Sequence, residues 1–207
     1  SVNMQTDVGR LDMADGKTVT SAGSIALSGQ AGLGLSRIVG TGGSTQAVTL
    51  TSANGAVSDL TANELANVSS AGQVSLSAKS VGGSDTADID LDVATLQSVT
   101  TTQGAAFLES IRSTGLALQD TAVSGALNLQ TTQGNLQVNG QVSAGLMTLQ
   151  VVAGGLQQAD GSVITVSGAA TLVASGDIGL ARLVGADGDV SLVTQGLLLD
   201  ASTSDAA

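Results

Sequence analysis

The chain has 207 residues, 42% of them apolar, and six basic residues against seventeen acidic ones give a net charge of −11. That balance argues against a nucleic-acid surface, which needs clustered Lys and Arg, and against binding to an anionic membrane. There is no Cys, His, Pro, Trp or Tyr and a single Phe, Phe107, which excludes disulfides, thiolate catalysis and zinc–sulfur sites and leaves a core of Leu, Val, Ile and Ala.

Residues 1–20 hold Val2, Met4, Val8, Leu11 and Val19 around a turn at Asp15-Gly16. Short units of alternating apolar and polar residues follow, at 23–27, 34–40, 47–50 and 72–77, with a strong turn pair at Asn54-Gly55. Strict alternation over a few residues marks a strand with one buried face, and Gly, Asn, Asp and Ser between units supply the turns. Thr61-Ala62-Asn63-Glu64 has the form of a helix capping box, but Gly72 arrives too soon for a helix. A polar loop, 82–88, precedes Ile89-Asp90-Leu91-Asp92-Val93. Residues 104–112 have helical and strand character, and the neighbouring units favour strand. The clearest stretch is 124–152, where Leu127 and Leu129, Leu136 and Val138, and Met147, Leu149 and Val151 form three bursts, preceded by Gly125, Gly134 and Gly145. Similar units run on to Leu199, and 201–207 are small and polar.

A longer repeat is superimposed on the short one. Gly34 to Gly40, GLSRIVG, recurs as Gly179 to Gly185, GLARLVG, an offset of 145, and the match extends over 22–59 and 167–200. Self-similarity at fixed spacing marks a solenoid. The chain therefore reads as one segment, 1–207, of a longer array. The first residues, SVNMQTDVGR, lack the basic and apolar regions of a signal peptide, and no apolar run reaches the roughly 18 residues of a membrane span.

Each unit resembles the next and aromatic anchors are missing, which favours a stack of like on like over a sandwich or barrel. The expected fold is all-β, a right-handed parallel β-helix of about 8–10 coils, with strands about 4.8 Å apart along the axis. Leu127, Leu129, Leu136, Val138, Met147 and Leu149 are the expected inward positions, and a narrow interior explains the absence of rings.

The units 48–59, 65–78, 90–104 and 175–194 resemble the repeats of large bacterial surface exoproteins, the filamentous-haemagglutinin-like, two-partner-secreted adhesins. The resemblance implies an exported β-helical stalk, filament or adhesive fibre at the bacterial cell surface. Its partners would be neighbouring repeats or copies of the chain, or a host or cell-surface glycan or protein. The secretion domain and binding tips of that family are not recognisable, so the resemblance carries over no site residue.

Chemistry is sparse. Glu64 and Glu109 are the only glutamates and no motif frames them. A polysaccharide-active β-helix enzyme is a distant third reading after stalk and binding module, since grouped acids and bases with aromatic platforms are missing; no catalytic residue is assigned. Arg37 and Arg182 occupy equivalent places in the long repeat, and are weak partner-binding candidates. Asp85, Asp88, Asp90 and Asp92 form the densest acidic group. Calcium takes several oxygen ligands from a loop, so these four are weak calcium candidates, although the nonapeptide of calcium-binding β-rolls is absent. Alternation with Ile89 and Leu91 points Asp90 and Asp92 outward, which reads first as a solvated loop. Gly32-Leu33-Gly34 is not a nucleotide loop, because Arg37 replaces the third glycine, and Asn67-Val68-Ser69 is a lone glycosylation sequon.

Overall fold

A computed structural model describes residues 1–62, 64–84, 87–185 and 187–203. Asp85 and Asn63 fall outside the described residues. Among the described residues there are twenty-two strands and no helix, and the strand pairs are parallel, joined into one continuous sheet that winds as a solenoid. Residues 104–112 contain the strand Ala106–Ser110.

Three inward columns run the length of the coil. The first stacks Met4, Leu27, Leu50, Leu76, Val99, Thr121, Val142, Ile164 and Leu183. The second runs from Leu11 through Leu33, Val57, Val81, Ala106, Leu127, Met147 and Ala170 to Val190. The third runs from Val19 through Ile38, Val68, Leu91, Ser110, Thr131, Val151 and Ala174 to Thr194. Nine rungs in each column mean about nine turns. Leu136 and Val138 are fully buried and Gln137 between them is exposed, as alternation requires. Burying one such side chain contributes about 1.5–3 kcal/mol, so the rod is held by many equal increments, and no single anchor dominates.

The corners of the coil shift along its length. Near the N-terminus the first column sits on unbroken strands, Ile25–Gly29 and Ala47–Ser52. The second and third sit on separate short strands, Gly32–Leu35 and Arg37–Gly40. Near the C-terminus the second and third columns share one strand, Ala170–Ala174 and then Val190–Thr194. The first column has meanwhile divided, so that Leu116–Thr131 pairs with both Leu136–Val138 and Gln141–Val151 across the corner at Asn139-Gly140. The change is made between Val81 and Ile89. Val81 and the run Ile89–Leu91 both pair with the single strand Ala106–Ser110, and the described residues between them, 82–84 and 87–88, lie outside the sheet. Gly82 starts this excursion with φ +64°, a conformation glycine adopts without penalty.

Glycines preceding the bursts also stack. A Cβ on Gly145 would lie 2.9 Å from the carbonyl oxygen of Gly125 one coil below. Backbone therefore packs on backbone at this corner, and a side chain would force the coils apart.

Candidate functional site

Asp90 follows Ile89 on the strand Ile89–Thr101, on the side away from the core, yet it is only 1% exposed. The expectation that Asp90 stands in a solvated row is therefore corrected. The preceding coil covers it. Asn67, itself fully buried, accepts the Asp90 amide on Oδ1 at 2.9 Å. The Asn67 side-chain amide in turn donates to the Ser36 carbonyl at 3.2 Å and to Asp59 Oδ1 at 2.7 Å. Asn67 is thus an internal strut, and its burial removes it as a glycosylation acceptor.

Glu64, Asp88 and Asp90 each bring a carboxylate oxygen within 4.8 Å of the others. Asp88 is buried and Glu64 exposed. Burial pushes the Asp90 carboxyl up to about 7, and the charges of Asp88, Glu64, Glu109 and Asp59 push the same way. Asp90 Oδ1 has no hydrogen-bond partner among the described residues. Asp92 stands apart from this group. It forms an ion pair with Arg112 at 3.1 Å and accepts from the Ser69 hydroxyl at 3.3 Å. Of the four aspartates singled out in the sequence, the structure brings Asp88 and Asp90 together, removes Asp92, and adds Glu64. The overlooked signal was spacing: Glu64 precedes Asp88 by about one coil length, so the two meet across the stack.

The two arginines of the long repeat are exposed, and each lines a surface recess. The first recess, about 170 Å³, is bounded by Asp15, Gly16, Thr18, Ser36, Arg37 and Thr61. The second, about 390 Å³, is bounded by Asp160, Gly161, Val163, Ala181, Arg182 and Ser202. These six positions correspond in the repeat, which extends upstream of residue 22 because Asp15-Gly16 recurs as Asp160-Gly161 at the same offset of 145, while Leu65 and Ala66 line the first recess alone and Ser162 the second alone. The correspondence reaches the turns. Asp59 Oδ1 accepts from the amide and hydroxyl of Thr61, both at 2.8 Å. Asp200 Oδ1 accepts from the amide of Ser202 at 2.8 Å and its hydroxyl at 2.7 Å, and the hydroxyl, then the amide, holds the Asp200 carboxyl below the ordinary carboxylate range.

The supports differ. Behind the first recess Asn67 holds the Ser36 carbonyl. Behind the second, Gln158 takes an inward rung above Val138 and is 2% exposed. Its side-chain amide donates to the carbonyls of Ser162 and Arg182, and its Oε1 accepts the amides of Ala181 and Arg182. A polar side chain is tolerated at a core rung because every hydrogen-bonding group on it is used. Neither arginine side chain has a hydrogen bond or ion pair among the described residues, whereas Arg10 and Arg112 are paired with Asp12 and Asp92.

Comparison with protein-family models, with curated proteins and with solved structures finds no match to this chain.

Proposed function

We propose that the chain is a structural and adhesive module, a β-helical stalk or filament segment of a large secreted bacterial surface protein. The carrying observation is the unbroken stacking of three inward columns through nine turns. A stack of this kind is stiff along its axis and is lengthened by adding coils, without redesign of the core. Acidic residues at low density keep such a rod soluble and discourage lateral edge pairing.

Electron microscopy of the purified chain tests the assembly. Thin rods that lengthen end to end, with a diffraction spacing near 4.8 Å, are expected. Particles that stay single and compact at high concentration would overturn the filament reading. Surface placement is tested separately, by antibody labelling of intact source cells before and after permeabilisation; labelling only after permeabilisation would refute it.

The duplicated recess favours a second reading, a module that grips an acidic glycan or a protein carboxylate through Arg37 and Arg182. A guanidinium without an internal partner, flanked by hydroxyls and a turn, suits a carboxylate. Replacing both arginines by Ala is expected to leave the melting temperature unchanged and to remove binding on an acidic glycan array. Binding unaffected by the double change would eliminate this reading.

A further inference from the structure

We propose that Glu64, Asp88 and Asp90 form a binding site for a hard divalent cation, calcium by its tolerance of irregular oxygen geometry, that ties one coil of the rod to the next. Glu64 lies in the segment between the strands Ala56–Asp59 and Val68–Ala78. Asp88 and Asp90 lie one coil further on, at the start of the strand Ile89–Thr101.

Three carboxylates within 4.8 Å oppose one another's ionisation, and a cation converts that repulsion into attraction. Independently of the cluster, Asp90 is buried with Oδ1 unpartnered among the described residues. Buried acceptors are normally satisfied, and this one is satisfied by a metal ion. The site is preorganised. The Asp90 backbone is pinned by Asn67, and Asn67 is pinned by Ser36 and Asp59, so the base of the carboxylate arm is fixed relative to the coil before. The nearby cation in the sequence, Arg112, is committed to Asp92. Glu64 is exposed and leaves a route for the ion to enter.

Coordination geometry selects among cations. Magnesium demands near-ideal octahedral geometry, whereas calcium accepts an irregular set of carboxylate oxygens and completes its shell with water. Three carboxylates converging from two successive coils suit calcium better.

The test is calorimetric titration of CaCl2 into the chelator-stripped full chain, with thermal unfolding in parallel. One binding event is expected, with a rise in melting temperature of about 5–10 °C at a hundredfold excess over Kd and a smaller rise with MgCl2. Glu64→Gln, on an exposed side chain, keeps the fold and weakens calcium binding at least tenfold. Asp90→Asn abolishes it, and Asp92→Asn leaves it intact. If Asp90→Asn does not fold, Glu64→Gln decides. Absence of calcium heat and of any thermal shift would overturn the site, as would calcium binding that survives Glu64→Gln unweakened. An equal response to magnesium would overturn the assignment to calcium.

Discussion

The stretches 22–59 and 167–200 fold into the same succession of strands, one longer and two short, followed by the next long one. They hang on different columns of the rod. Ile38 belongs to the third column, while its counterpart Leu183 belongs to the first. Leu27 is on the first, while Leu172 lies on the strand that the second and third share. Local sequence thus dictates the shape of one coil. Its angular position on the rod depends on the corners in between, above all the break between Val81 and Ile89 and the corner at Asn139-Gly140. The two arginine recesses, alike in lining, consequently open on different faces.

The most damaging way to break the comparison is to cut the core between the two copies. Leu136 is fully buried, and Leu136→Asp places an unpaired carboxylate there at a cost of several kcal/mol. Calorimetry is expected to show a large fall in melting temperature, with amide exchange rising first around the stacked rungs Leu116 and Leu156. Gln137→Asp on the outer face changes stability by no more than about 0.5 kcal/mol. Equal midpoints for the two variants would reverse the assignment of inside and outside.

A second difference is in response to pH. The Asp90 carboxyl ionises near 3.8 in the unfolded chain and at about 7 in the folded one, with Asp88, Glu64, Glu109 and Asp59 facing it. Between those values the folded state holds a proton that the unfolded state has lost, so stability falls as pH rises through this window. Urea unfolding in chelator is expected to show the metal-free chain less stable at pH 8 than at pH 5, by at most about 3 kcal/mol. Asp90→Asn should flatten the slope. An unchanged slope in that variant would place the pH dependence elsewhere.

The third contrast concerns the buried struts. Gln158→Ala and Asn67→Ala each leave buried backbone or side-chain groups without partners, at about 2–3 kcal/mol. Hydrogen exchange should separate them: the Gln158 change should loosen the amides of Ala181 and Arg182, and the Asn67 change that of Asp90. Similar exchange patterns in both variants would mean that the struts act through global stability alone.

The fold was legible because alternation has period two and each burst is too short to be anything else. Leu127, Leu129, Met147 and Leu149 point inward as expected, all within 2% of full burial. The acidic site was only half legible. Alternation tells which side of the strand Asp90 occupies, but not what lies over it, and its cover comes from residues one coil earlier. Glu64 carried no motif because its partners are neighbours in the stack and not in sequence. The recesses were legible at Arg37 and Arg182, but Asp15-Gly16 and Asp160-Gly161 went unread as part of the same repeat.

By itself the sequence determined a parallel solenoid with a narrow aliphatic core, since residues that alternate, repeat and avoid rings can be buried efficiently only by stacking like on like. Tertiary structure alone decided where the corners fall, which face each recess occupies and that three carboxylates converge. Those outcomes depend on the number of residues between rungs, and contacts across a 4.8 Å coil spacing join residues that lie more than twenty positions apart in the chain.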